Sequence, residues 1–344
     1  VRLRRTAAAL ALVVPSVALG TVTAPAATAA DDRQVVCRVD DDRLVEISGI
    51  TWSRRHPGTY WMLNDSGGGP YLYAVDGATC RTQARIRIAG IGARDLEALA
   101  TGVDPDGRPV LWVGDIGDNL DSWPSVRLHA VREPARLVDQ EVGSTTYEFT
   151  FPDGGTNAES ILADPERARV WVVTKGLASG DVWRVPLSTG RVTTAVRVGD
   201  AGGLTTDAAM SPDGTRFVIR DYLRAQLYAA PVSAAALENP TRISLPLQQL
   251  GEAVTFTADG TALLVASERE RELWRVALPA PATPEPSASP SSTASPGATA
   301  EPSPPATEAP AAGGGTSPWK LGLAGLAVAA AVGVGIVAAR RLRT

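Results

Sequence analysis

The sequence predicts an all-β fold: a five-bladed β-propeller closed by an N-terminal strand, with a C-terminal transmembrane helix beyond it. Three observations carry this reading. A four-strand pattern recurs five times, turn residues fall at the same place in each recurrence, and the last unit lacks a strand that the N-terminal segment supplies.

The repeat is clearest at its third strand, an aliphatic residue followed by an aromatic or His, any residue, and a small aliphatic. It occurs at Leu72–Val75, Leu128–Val131, Val182–Val185, Leu227–Ala230 and Leu273–Val276. An apolar run precedes each one: Tyr60–Leu63, Val110–Val113, Val170–Val173, Phe217–Ile219 and Ala262–Val265. Further upstream a polar residue opens another short run, at Ser48, Glu97, Glu159, Asp207 and Glu252. Alternating segments such as Arg85–Ile88 and Thr146–Phe149 follow as fourth strands. The openings lie 49, 62, 48 and 45 residues apart, the spacing of propeller blades. His56-Pro57-Gly58, Asp106-Gly107, Asp164-Pro165, Asp213-Gly214 and Asp259-Gly260 mark the first hairpin of successive units. The fifth unit has no fourth strand before Leu278, and Gln34–Val39 is free to complete it, which removes the exposed edge an open ring would leave. A sixth blade is the alternative, hidden in the long second unit.

The flanks set the location. Residues 1–30 read as a signal peptide: Arg2, Arg4 and Arg5, then an apolar stretch from Ala7 to Leu19, then Ala27-Thr28-Ala29 as a cleavage site. Residues 31–278 form the propeller domain. Residues 279–318 are almost all Pro, Ala, Ser, Thr and Gly and read as a disordered stalk. Residues 319–344 hold the apolar run Leu321–Ala339, long enough to cross a bilayer, followed by Arg340, Arg341 and Arg343. The basic cluster belongs in the cytoplasm, so a single-pass protein with an extracellular propeller is expected, and a monomer. Residues 31–278 contain 34 Asp and Glu against 26 Lys and Arg, a net −8 that disfavours nucleic acid as a partner. In an exported chain, Cys37 and Cys80 are expected to form a disulfide. Two cysteines and two scattered histidines have no zinc-ligand spacing.

In a propeller the start of each first strand meets the end of each second strand at one mouth of the central channel. Blade by blade this pairs Ser48 with Asp65, Glu97 with Asp115, Glu159 with Lys175, Asp207 with Arg220 and Asp221, and Glu252 with Glu268. Eight carboxylates and two bases would converge there. Crowded carboxylates repel unless a cation or donors offset them. Glu97, Asp115, Glu159, Asp207 and Glu252 are therefore expected to ligate a metal, with Ca²⁺ suited to hard oxygen donors. Asp65, Lys175, Arg220, Asp221 and Glu268 are expected to bind a small polar or anionic ligand. The competing structural role for each acid is to accept backbone N–H groups and tie blades together. The loop Gly114–Asp121 adds oxygen donors at short spacing, and Asn64–Gly69 offers backbone N–H groups to an anion. Lys175 is the sole lysine of the domain, and Trp123, in a mouth loop, has two readings, packing at the surface or between blades and stacking on a sugar. Neither His56, in a bottom hairpin, nor His129, in a third strand, is placed for a serine triad.

Ile47-Ser48-Gly49-Ile50, Asn64-Asp65-Ser66-Gly67, Leu96-Glu97-Ala98-Leu99, Gly114–Asn119, Asn157-Ala158-Glu159 and Gly251-Glu252-Ala253 together resemble a family of secreted actinobacterial propellers. These are WD-repeat-like and similar to phytase and esterase-like propellers. The chain lacks the Gly-His and Trp-Asp dipeptides of true WD repeats and reads one blade shorter than the phytases. Three functions stay open at this stage: a surface propeller binding a divalent cation and a small ligand, a metal-assisted hydrolase of phosphate esters or glycosides, and an interaction platform for an extracellular protein without metal.

Overall fold

The computed structural model describes residues 33–65 and 68–279. The expected signal peptide, the stalk beyond residue 279 and the membrane helix lie outside the described residues.

Five sheets account for the strands, each built on four antiparallel strands read here from the channel outward. The first is Ile47–Trp52, Thr59–Asn64, Tyr71–Asp76 and Thr82–Ile88. The second is Leu96–Val103, Pro109–Asp115, Val126–Val131 and Ser144–Thr150. Ala158–Ala163, Val170–Thr174, Gly180–Val185 and Val196–Gly202 make the third, and Thr205–Met210, Arg216–Asp221, Arg224–Ala229 and Thr241–Ser244 the fourth. The fifth has three strands of its own, Gly251–Phe256, Ala262–Ser267 and Glu272–Ala277. Its outer strand is Arg33–Arg38, antiparallel to Glu272–Ala277 with Arg33 opposite Val276. The N-terminal closure expected from the sequence is therefore present.

The extra length of the second unit does not hide a sixth blade. Gln140–Val142 adds in parallel to the outer edge of the first blade, and the chain then returns as the outer strand of the second. Thr193–Thr194 extends the second blade in the same way.

Inner and second strands are buried almost throughout because both faces are covered. Five buried clusters result, one in each gap between neighbouring blades. The gap between the fifth and first blades, where the ring closes, is filled by Ile47, Ile50, Met62, Tyr73, Ala253, Leu264 and Leu273. Burial of this kind, at ~25 cal/mol per Å² of apolar surface, is what holds one sheet to the next. The Cys37–Cys80 disulfide, with Cα atoms 5.7 Å apart, fastens the closing strand to the first blade across this seam.

Candidate metal and ligand site at the channel mouth

All five inner strands carry a β-bulge at the same place. The register shifts between Ile47 and Gly49, Leu96 and Ala98, Ala158 and Ser160, Thr205 and Asp207, and Gly251 and Ala253. The extra residues are Ser48, Glu97, Glu159, Thr206 and Glu252, all buried. A bulge re-aims one side chain without ending the strand. In the first and fourth blades that side chain is a hydroxyl, and it donates to the next blade: Ser48 Oγ to Leu96 O at 3.1 Å and Thr206 Oγ1 to Gly251 O at 3.0 Å. In the other three it is a glutamate.

A second set of residues follows the ends of the second strands: Asp65, Ile116, Lys175, Tyr222 and Glu268. Three of these are fixed alike. The N–H groups of Asp65, Lys175 and Glu268 donate to Glu46, Asn157 and Leu250 respectively, at 2.9–3.0 Å. The two sets form one electrostatic system. Glu97 feels Glu159, Asp65, Asp95 and Glu252, while Glu252 feels Lys175, Glu159, Glu268 and Asp65.

One oxygen each of Asp65, Asp95 and Glu97 lie within 4.8 Å of one another, so this triad can hold a metal ion. Burial, then the charges of Asp65 and Glu159, push the Asp95 carboxyl up to about 7, and a hydrogen bond with Asp65 favours its proton. Burial and the same neighbours hold Glu97 well above the ordinary carboxyl range. An all-oxygen, proton-hungry donor set is the chemistry of a hard cation.

On the third blade the sole lysine of the described residues is already engaged. Lys175 Nζ lies 3.3 Å from Glu159 Oε1 and 5.2 Å from the centre of the Tyr222 ring. Burial alone would lower its ammonium, but Glu159, Tyr222 and Glu252 outweigh this and raise it. Glu159 also accepts from Asn157 Nδ2 at 2.7 Å, and Glu252 from the Tyr222 hydroxyl at 3.2 Å. Burial raises Glu252 to about 8, with Lys175 opposing and Glu159 adding to the rise. The mouth thus sets six carboxylates, Asp65, Asp95, Glu97, Glu159, Glu252 and Glu268, against one lysine.

Several residues expected at the site are elsewhere. Asp207 is one residue past its bulge, and strand alternation turns it into the gap between blades. There, fully buried, it accepts from Ala208 N at 2.8 Å and Val254 N at 2.7 Å, tying the fourth blade to the fifth. Arg220 is 1% exposed and donates to Ala253 O, Ala266 O and Gln248 Oε1, so it is an inter-blade clamp rather than an anion receptor. Asp115 accepts from the N–H groups of Arg94 and Asp95, both at 2.9 Å, and from Arg94 Nε. It holds the loop that carries Asp95. Asp221 closes a turn by accepting from the N–H groups of Leu223 and Arg224. In the loop Gly114–Asp121, Asp118 is likewise taken up by Ser122 N and Trp123 N at 2.8 Å. Of Asn64–Gly69, Ser66 and Gly67 lie outside the described residues.

Asp95 was not among the expected residues. It stands two places before its bulge, where the other blades have Glu46, Asn157, Leu204 and Leu250. Only an alignment of the repeats on the bulge, not on the first polar residue, exposes that position. Gly117 makes room for it: a Cβ at residue 117 would run into the Asp95 carboxyl.

Both histidines lie away from this mouth. His129 hydrogen-bonds Thr146 Oγ1 at 2.9 Å in a third strand, and His56 Nε2 lies 2.8 Å from Pro134 O.

No protein-family model matches this chain, and no curated protein matches it. Among solved structures it is similar to a luciferin-regenerating enzyme, at TM-score 0.39 and 12% identity over 67% of this chain and 77% of that one. It is also similar to a chain of a mitotic checkpoint complex, at TM-score 0.33 and 14% identity over 66% of this chain and 63% of that one. Likeness this distant carries no argument about activity.

Proposed function

We propose that this protein binds a divalent cation, Ca²⁺ by donor type, at Asp65, Asp95 and Glu97, and with it a small polar or anionic ligand at the channel mouth. The approach of these three carboxylates within 4.8 Å carries the reading. Without a cation, Asp95 and Glu97 are held above the ordinary carboxyl range by burial and by the neighbouring acids. Glu159, Glu252 and Glu268 stand beyond the triad as contacts for waters or ligand around the cation. An anionic ligand would be held through the cation, since Lys175 is paired with Glu159.

Metal analysis and calorimetric titration of the purified chain test this. One Ca²⁺ per chain is expected, abolished by Asp95→Asn with Glu97→Gln. No metal in the purified protein and no heat on adding Ca²⁺ would refute it.

One observation favours hydrolysis as a second reading. Glu252 keeps its proton to about 8, beside a Glu159 that pairs with Lys175. An acid that keeps its proton, facing a carboxylate paired with a lysine, is the kind of arrangement that acid–base hydrolysis of glycosides or phosphate esters uses. Turnover of a panel of chromogenic glycosides and phosphate esters, lost in Glu252→Gln, would support it. A panel without turnover leaves binding alone.

The setting we propose is extracellular: a propeller on a Pro- and Ala-rich stalk, anchored by Leu321–Ala339. The support is the sequence of both ends and the resemblance to secreted propellers. Protease treatment of intact cells should release the domain, and a domain that stays intact and cell-bound while other surface proteins are cut would contradict this topology.

A further inference from the structure

Among the described residues the most exposed large apolar side chains are Leu247 at 90%, Leu177 at 78%, Leu223 at 73% and Leu120 at 65%. All four lie at the channel-mouth end. Leu120, Leu177 and Leu223 are in the loops after the second strands of the second, third and fourth blades, and Leu247 leads into the inner strand of the fifth. Val45, exposed before the inner strand of the first blade, and Trp123, beside Leu120, complete the set. Each blade contributes. The other exposed apolar residues, Val35, Val138, Val192 and Val196, are on or beside outer strands.

Single exposed apolar residues need no explanation, but four leucines and a valine that together represent every blade at one end do. Turns ordinarily carry Gly, Asn, Asp or Ser for their backbone chemistry. Here the backbone beneath the apolar side chains is also tied down. Leu223 N donates to Asp221 Oδ1 and Trp123 N to Asp118 Oδ2, both at 2.8 Å, and Gly176 O, next to Leu177, accepts from Leu204 N at 2.8 Å. The Trp123 ring is held against the Arg94 guanidinium at 4.4 Å, and Asp115 holds Arg94 in turn. These side chains are displayed on fixed supports, which lowers the ordering cost of binding, and a braced tryptophan is a common anchor of protein interfaces.

The collar encloses the well of six carboxylates and one lysine. Acidic groups outnumber the lysine there, so even with protons kept on Asp95, Glu97 and Glu252 the excess of acid decides the occupant. Anionic lipid headgroups would be repelled, and a second copy would bring an acidic mouth against an acidic mouth. The complement is a surface with a positive centre and an apolar surround.

We propose that the collar docks a segment of another protein that presents a lysine or arginine between apolar side chains. The cation enters the acidic well while its neighbours cover Leu120, Trp123, Leu177, Leu223 and Leu247. The carboxylates are shared with the cation-binding reading. The collar is not, so substituting it leaves Ca²⁺ titration intact, and the two ideas fail separately.

Labelled nonapeptides test this by fluorescence anisotropy against the purified full chain, in chelator and in Ca²⁺. Their centre is arginine, lysine, citrulline or glutamate, and their flanks are leucine and phenylalanine or serine and glycine. Peptides with a basic centre and apolar flanks should bind at least ~10-fold tighter than all others. The variant Leu177→Ser, Leu223→Ser, Leu247→Ser should lose at least ~10-fold while melting as the wild type does, since exposed substitutions cost little. Equal binding of citrulline- or glutamate-centred peptides would overturn the proposal. So would no binding up to ~1 mM, or an unchanged triple variant. Collar-dependent sedimentation with phosphatidylglycerol vesicles would make the collar a lipid face instead. A collar-dependent dimer in analytical ultracentrifugation would make it a self-contact. Either result also overturns it.

Discussion

Removing the cation should make the fold lose stability as pH rises through neutrality. A carboxyl raised in the fold keeps its proton where the unfolded chain has already lost it, so metal-free stability falls by ~1.4 kcal/mol per pH unit for each proton retained. Asp95 is raised from 3.8 to about 7 and Glu252 from 4.5 to about 8, and burial holds Glu97 well above its ordinary range. His129 acts in the opposite sense. Burial lowers it from 6.5 to about 4, so its contribution is complete above about 6.5 and is lost as pH falls towards about 4. The window above the His129 titration therefore runs from about pH 6.5 to about pH 8.5, and in it Asp207, raised well above its ordinary range by burial in the blade gap, adds to the channel-mouth carboxyls with the same sign. The paired carboxylate Asp41, lowered by Arg43, and the raised Lys175 titrate outside it. Across that window Glu252 alone accounts for ~2 kcal/mol, or ~4–8 °C of melting temperature for a domain of this size. Melts in chelator should fall by at least that much. Added Ca²⁺ should remove the slope, because a cation stabilises the ionised carboxylates that the protons replaced, and its stabilising effect should grow with pH. Glu252→Gln should flatten the chelator profile by ~2 kcal/mol. A melting temperature in chelator that is level or rises over this window, with Ca²⁺ making no difference at its alkaline end, would refute both the buried cluster's charge burden and its answer by a cation.

Three further outcomes follow from particular contacts. Gly117→Ala pushes a methyl into the Asp95 carboxyl and should weaken Ca²⁺ at least ~10-fold by calorimetry with little loss of melting temperature; unchanged affinity would place Asp95 outside the cation site. Asp207→Ala leaves the buried N–H groups of Ala208 and Val254 without acceptors and should cost ~2–5 kcal/mol in urea unfolding, with Ca²⁺ affinity per folded molecule unchanged. Lost cation binding in a folded Asp207→Ala protein would return Asp207 to the site. Reducing Cys37–Cys80, which closes a loop over a separation of 43 residues, should cost ~2–4 kcal/mol on denaturant titration, and equal stability with and without reductant would mean that the seam holds by packing alone.

The bulge explains which parts of this molecule can be read from its sequence. Blade number and closure are legible because burial on both faces imposes an apolar run wherever an inner or second strand lies, and because the last unit lacks its outer strand at the end where Arg33–Arg38 supplies one. The mouth is legible only to within one residue, and one residue reverses the face. In the fourth blade Thr206 and Asp207 are both polar, and the sequence pattern favours the acid. The bulge instead sends Thr206 towards the channel and Asp207 into the blade gap, where two backbone N–H groups await an acceptor. Arg220 pairs with Asp207 in the ladder and follows it inward, for the same reason. Asp115 ends a second strand as the sequence implies, yet it is the last ladder-paired residue, opposite Leu96, and it turns to the loop that carries Asp95. The residues that do meet at the mouth lie on the bulge, just after the second strands, or two places before the bulge. Twofold alternation marks none of these positions. Five bulges at one level of one channel interrupt the ladder in every blade. What they provide in common is a ring of re-aimed side chains. Two of these, Ser48 and Thr206, bind the neighbouring blade, and three are glutamates that face other carboxylates. Hydroxyls at all five places would serve ring closure, and the three glutamates that stand there instead are what the proposed cation site draws on.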